Sequence, residues 1–296
     1  MAGGQHTKEQ HYVPRVYLQG FSSDARSLFE YNLKADKPIK EPVSIESVCK
    51  EKYLYELRDE QGEIINLNYL ENVLCQYEGM FADHRRALLK KAVFKENYQT
   101  KCFLSKEEKQ FWIFYTALQI MRNPSTLRGI KNFILDETHG AFSDQQAQNL
   151  AAGLCLPFFQ KPNSKVIDAF RFVTSVLMGN VLTVGYTETG NLITSDHAVY
   201  GSRKPKEEFP QFQRLWFPVS SNCAIIFSNP DLVGRDGRNR LIPLYEDEIR
   251  DMNKGISYIA TQVILSKLPF SEEDIALIRE ARSEKEQDDE QKSFTE

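Results

Sequence analysis

His11, Arg122, Arg128, Asp196 and His197 are the side chains of this sequence whose types and settings could share a reaction. His11 opens His11-Tyr-Val-Pro14, a polar start to an apolar run, and Pro14 fixes the backbone just behind it. An imidazole there can serve as general base, metal ligand or proton donor to a phosphate, or can simply cap the entry of the chain. Asp196 and His197 follow an apolar segment that reads as a strand, so a loop presents them at its end. A carboxylate beside an imidazole suits metal binding or the orientation of a base. Thr194 and Ser195 equally suit a turn in which Asp196 bonds nearby backbone.

Arg122 falls on the same helical stripe as Phe111, Tyr115 and Leu118, so a continuous helix turns its guanidinium inward. A buried cation needs a carboxylate or an anionic ligand. Arg128 lies just past the Asn123-Pro124 break, and the two cations could converge on a phosphate. The competing reading is a buried salt bridge from Arg122 to Glu71 or Glu78. Those two acids are seven apart on one helical face; with Asp196 they are weak candidates for a divalent metal, and the sequence names no cofactor beyond that possibility. Gly234-Arg-Asp-Gly-Arg-Asn-Arg240 is a basic turn without the Lys-Ser/Thr of a phosphate loop, and reads as a hairpin end. Gly-x-Gly-x-x-Gly, a Walker lysine, His-Glu-x-x-His and Gly-x-Ser-x-Gly are all absent, so nucleotide-dependent redox, ATPase and serine-hydrolase chemistries have no foothold.

The elements that must position these residues are grouped by type. Leu70, Val73, Leu74, Tyr77, Phe81, His84 and Leu88 mark one helical face. Ser105 with Glu108 opens a second helix, Asn123-Pro124 a third, Ser143 with Gln146 a fourth, and Asn163 or Ser164 a fifth that stops at Gly179. Upstream, Ser27–Leu33 is β-like, and Lys52–Leu57 could pair with Glu63–Leu67. Downstream, Val181–Thr187 and Asn191–Thr194 flank a hairpin turn, Arg214–Phe217 and Cys223–Phe227 follow as strands, and a long helix is expected from Glu246 to Ser266. Segregated helices and strands predict an α+β fold, mostly helical in the middle and C-terminus, with a small antiparallel sheet over residues 181–228 joined by short N-terminal strands.

The 296 residues carry a net charge of −4 and are 41% hydrophobic, which excludes fibrous and wholly disordered classes. The last fourteen residues hold six acids against two lysines, so residues 1–282 balance at zero. A neutral body lacks the broad positive face of a dedicated nucleic-acid binder, though a local basic pocket remains open to it. A flexible N-terminus over 1–10, one domain over 11–282 and a disordered acidic tail over 283–296 are expected, with deletion of the tail tolerated. The five scattered cysteines predict reduced thiols rather than a disulfide framework. No apolar span is long enough for a bilayer, and residues 1–10 show no signal-peptide core, so a cytoplasmic protein away from membranes is expected. Nothing in the sequence speaks to oligomeric state.

Three segments together resemble one family. His11-Tyr-Val-Pro-Arg-Val-Tyr-Leu-Gln-Gly-Phe21 is similar to its opening signature, Ile193-Thr-Ser-Asp-His-Ala-Val199 to its central Thr-Ser-Asp-Asn-Pro-Val, and Phe217–Ser220 with Ala224–Ser228 to its later strand pair. Arg122-Asn-Pro-x-x-x-Arg128 and Met252-Asn253 agree as well. The chain thus resembles the bacterial domain of unknown function 4238 from residue 11 to about 266, with His197 and Ala198 standing where the family has Asn-Pro. The resemblance implies no activity. From the residues, the first expectation is a hydrolase acting on a phosphate-containing or nucleic-acid substrate, with His11 and Asp196 catalytic and Arg122, Arg128 and His197 on the substrate. The other is a non-catalytic binding or structural module, of the kind found in toxin or phage-defence systems.

Overall fold

The structure is a computed structural model that describes residues 8–98, 102–154, 169–202, 213–234 and 239–293. The chain opens with strand β1 (Glu9–His11), a single helical turn α1 (Arg15–Leu18), and strands β2 (Ser27–Asn32), β3 (Lys37–Pro38), β4 (Val43–Ser44) and β5 (Lys50–Lys52). A helical block follows: α2 (Tyr69–Ala92), α3 (Lys106–Met121), α4 (Pro124–Glu137), α5 (Asp144–Leu154) and α6 (Ala169–Gly179). Then come β6 (Val181–Tyr186), β7 (Thr194–Ser195), β8 (Tyr200–Ser202), β9 (Arg214–Ser220), β10 (Cys223–Ser228), the turn α7 (Pro230–Val233), β11 (Leu241–Pro243), α8 (Glu246–Ile259), β12 (Val263–Ser266) and α9 (Glu272–Ser293). The fold is α+β. No helix among the described residues is long and apolar enough to cross a membrane.

Local signals explain the helix starts. Ser105 accepts from the Glu108 amide while the Glu108 carboxylate returns to the Ser105 amide, a reciprocal cap on α3. Asn123 caps α4 with Pro124 at its first position. Ser143 and Gln146 exchange the same pair of bonds ahead of α5. Asn163 and Ser164 lie outside the described residues.

Alternation along the strands builds a layered centre. In the five-stranded sheet β11-β6-β10-β9-β8 all neighbours are antiparallel except β11 on β6. Val184, Leu215, Phe217, Ile225 and Phe227 point into the main core with the helical block, where Tyr17 stacks on Phe217 and Phe81 on Tyr115. The intervening Trp216, Ala224 and Ile226 point the other way, onto Ile249 and Met252 of α8. A period of two therefore gives the sheet two buried faces. The second sheet, β3-β2-β12-β7 with β4 also on β2, packs Tyr31 and Ile264 against Ile256 of α8 and Ile278 of α9. Gly255 lets α8 approach, since a Cβ there would lie 2.2 Å from the Tyr200 ring.

Several expectations are corrected. Residues 181–187 and 191–194 form no hairpin: β6 pairs with β10 and β11, whereas β7 leaves for the second sheet and pairs with β12. The helix expected to reach Ser266 ends at Ile259, and β-branched Val263 and Ile264 open β12 instead. Residues 52–57 and 63–67 pair only near the turn, where the Ile65 amide donates to the Leu57 carbonyl at 2.9 Å beside an Arg58–Ile64 bridge, while Lys52 pairs with β1 instead. The expected flexible start is partly ordered: Gln10 lies in β1, fully buried, and donates to Glu56 at 3.0 Å. The expected disordered tail is helical through Ser293, with Glu284 accepting from Lys254 and Asp288 from Tyr258. Residues 1–7, 235–238 of the basic turn, and 294–296 lie outside the described residues. Cys49 and Cys223 are buried free thiols, and Cys75 and Cys102 are exposed ones.

Candidate functional site

Arg122 ends α3 and turns inward, 1% exposed. Its Nη1 donates to Glu78 Oε1 at 2.9 Å and its Nη2 to the His11 carbonyl at 2.6 Å. Its guanidinium lies 5.8 Å from the centre of the Tyr55 ring, whose hydroxyl donates to the Arg122 carbonyl at 2.8 Å. Of the two readings open for this residue, the buried ion pair with Glu78 is the one the fold builds. Arg122 and Arg128 do not converge: Arg128 is 61% exposed on α4 and reaches Glu51 at 3.4 Å. The two cations are taken up by different carboxylates, Glu78 and Glu51.

Facing Arg122, α2 presents Glu71, Cys75 and Glu78 at the four- and three-residue steps of one helical face. Glu71 Oε2 is buried without a hydrogen-bond partner. Burial pushes the Glu71 carboxyl up to about 7, with Glu78 and Glu56 adding to the shift while Arg122 and Arg15 oppose it. Cys75 is also pushed up, first by burial and then by Glu78 and Glu71, so this thiol is no activated nucleophile.

His11 completes the centre from β1. Burial, then the cations Arg15, Lys50 and Arg122, hold the imidazole down at about 4, while its contact with the Glu46 backbone acts the other way. A contact that favours the protonated ring is one given to an acceptor. His11 Nε2 is buried without a partner, so the Glu46 contact belongs to Nδ1 and the neutral ring keeps its lone pair on Nε2. Glu71 and His11 thus both feel the charge of Arg122, which favours the ionised carboxylate and the neutral imidazole.

Asp196 stands elsewhere. Its carboxylate accepts from the Thr261 amide at 3.0 Å, the Gln262 amide at 3.0 Å and the Thr261 hydroxyl, all at the junction of α8 and β12. The expected catalytic couple of His11 and Asp196 shares no hydrogen bond, because the Asp196 carboxylate is taken up by Thr261 and Gln262. What joins the two segments is the pair Arg122-Asn123, since Asn123 Nδ2 donates to the Asp196 carbonyl at 3.0 Å. Nor do Glu71, Glu78 and Asp196 form one metal site; among the described residues no group of three or more His, Cys, Asp or Glu is placed to hold an ion. His197 lies in a turn where its amide donates to Ser195 Oγ at 3.0 Å. Burial lowers its pKa, against the nearby Asp196 and with Lys285 and Arg128.

Sequence reasoning missed Tyr55, Arg15 and the second role of Asn123. Arg15 sits inside the opening signature next to Pro14, four residues beyond His11, where α1 begins.

The comparisons agree with the resemblance carried by these segments. No curated protein and no solved structure matches the chain. The family model described as "Protein of unknown function (DUF4238)" matches residues 9–267. That span runs from β1 to just past β12 and includes every residue of the Arg122 centre, and by that match the chain belongs to the DUF4238 family.

Proposed function

We propose that this chain is a hydrolase that works by acid–base chemistry at the Glu71–His11–Arg122 centre, on a substrate carrying a phosphate group. The observation that supports it most is Glu71: a carboxyl with a buried, unpartnered oxygen that changes charge near neutral pH, a combination that clusters at functional sites. In this reading His11 Nε2 takes the proton of an attacking water. The new P–O bond forms as the P–O bond to the leaving group breaks, and protonated Glu71 supplies the proton that the leaving oxygen needs. Arg122 is a positioning residue that holds Glu78 and the His11 carbonyl, while Arg15 and Lys50, paired with Glu46 and Glu9, are the other cations acting on His11. Turnover of p-nitrophenyl phosphate and bis-p-nitrophenyl phosphate tests it. The expected profile is bell-shaped, with limbs near 4 for the base and near 7 for the acid. Glu71→Gln should lose activity by about 10²-fold or more while melting no lower than the wild type. A wild type inert to both esters, or a fully active Glu71→Gln, overturns it.

A second reading, a non-catalytic module, is favoured by one specific observation. The signature residues bond one another: Arg122 to His11, Asn123 to Asp196, and the Tyr17 hydroxyl to Thr194 at 2.8 Å. Under that reading Glu71→Gln only stabilises.

A further inference from the structure

On the α8 side of the five-stranded sheet, away from the Arg122 centre, lies a cavity of about 200 Å³. Its position follows from register: Ile226 stands between Thr183 and Trp216, so these side chains are neighbours on one sheet face, and Ser228 lies two residues further along β10 on the same face. Trp216, Ile226 and Met252 provide an apolar floor. Tyr200 stacks on Trp216 from the β8 side, with 5.4 Å between ring centres, whereas Ile226 and Thr183 stand on its β10 side. Thr183 and Ser228 add two hydroxyls at positions only 8% and 3% exposed. Glu248 and Asp251 come from the first two turns of α8, and one Glu248 oxygen accepts from the Tyr245 amide at 2.7 Å. The other Glu248 oxygen, the Asp251 carboxylate and the two hydroxyls have no hydrogen-bond partner among the described residues. Arg214 and Arg240 line the cavity as well, but each is engaged in interactions of its own and neither is available to a ligand.

Carboxylate oxygens only accept, and hydroxyls both donate and accept, so the complementary ligand donates from several hydroxyl groups of its own. Charge selects no ion: the two carboxylates oppose an anion, and the two guanidinium groups beside them oppose a cation. A buried hydroxyl without a partner carries a desolvation cost, which a hydroxyl-rich ligand removes. The indole and its apolar neighbours match the C–H face of a ring. The volume is below the roughly 300–1,000 Å³ of pockets for drug-sized ligands, so the occupant is one ring in size. We propose that this cavity binds a neutral polyhydroxylated ring, a monosaccharide, with neighbouring hydroxyls donating to Asp251 and Glu248, another bonded to Thr183 and Ser228, and its apolar face over Trp216. The site shares no residue with the proposed acid–base centre and stands or falls without it.

Such a ring comes either as a free sugar or as the end of a glycoside. Titrations of the full chain with D-glucose, D-galactose, D-mannose and the methyl glycoside of each separate these sources, read by calorimetry and by tryptophan emission. Trp216 shares that emission with one other tryptophan, the buried Trp112. Cyclohexanol serves as a ring with a single hydroxyl, and D-glucosamine as a cationic ring. Asp251→Asn, at an exposed position, and Thr183→Val each remove one polar contact at nearly constant size, and melting curves verify their fold. Binding of at least one neutral sugar or glycoside at millimolar concentration is the expected result, with a change in tryptophan emission. Asp251→Asn should weaken it about tenfold, as loss of a hydrogen bond to a charged group does, and Thr183→Val several-fold. The proposal is overturned if no sugar or glycoside binds at millimolar concentration, or if cyclohexanol binds as tightly as the best of them. D-glucosamine binding far more tightly than D-glucose, or both variants binding like the wild type, overturns it as well.

Discussion

Arg122 spends its charge inside the protein, and that sets what its replacement does. Arg122→Met keeps the aliphatic stem but strands Glu78 and leaves the His11 carbonyl without its donor. Breaking a buried pair from one side costs about 3–5 kcal/mol, and chemical denaturation should read a loss of that size. Pairing it with Glu78→Gln should recover part of it. Glu71 and His11 make opposite contributions to pH dependence. The folded chain keeps the Glu71 proton up to about 7, whereas the unfolded chain releases it near 4.5, so this group's stabilisation is lost as pH rises through that window. The unfolded chain protonates His11 near 6.5 and the folded chain only near 4, so stability is lost as pH falls through that one. Between about 4.5 and 6.5 the two slopes oppose. Urea denaturation across that interval should show little slope for the wild type, stability falling with rising pH for His11→Gln, and stability rising with pH for Glu71→Gln. Solvent at these part-buried positions trims each effect to about 1–2 kcal/mol. Equal slopes in both variants would contradict the assignment.

At the scale of elements, Asp196 is the bolt between the β7 turn, the end of α8 and the start of β12. Asp196→Asn removes a charged acceptor from two amides and a hydroxyl, and is expected to cost about 1–3 kcal/mol and to speed amide exchange in Val263–Ser266 first. The helices were legible in the sequence because their signals are local: Ser105 with Glu108, and Asn123 with Pro124, act within one turn. The β7–β12 pairing was not, because a two-residue strand carries no period and its partner lies 69 and 71 residues away by register, Ile264 on Ser195 and Leu265 on Thr194. The same contrast divides the candidate site. An inward Arg122 with an acid from α2 followed from the stripe, as one of two alternatives. Tyr55 did not, since an irregular stretch without periodicity sets its place, and neither did the loss of Asp196 to backbone bonds that Thr261 and Gln262 supply from far along the chain.

For the whole molecule, α9 is the part whose expectation changes most. Truncation after Ser283 removes exposed pairs such as Lys254 with Glu284, worth about 0–1 kcal/mol together, and should leave melting nearly unchanged. Truncation after Phe270 also removes buried Leu277 and Ile278, at about 1.5–3 kcal/mol each, and should lower the melting temperature sharply. The double grip of residues 122 and 123 has a temporal side as well. One dipeptide gathers segments 111 residues before it and 73 after it, so two very long loops must close before either bond can exist. The expectation is that these two bonds form after the rate-limiting barrier, and folding kinetics test it. Arg122→Met should therefore steepen nothing on the refolding limb of a chevron; it should raise the unfolding rate alone, so that the Arg122–Asn123 grip governs how long the native chain lasts rather than how soon it is reached.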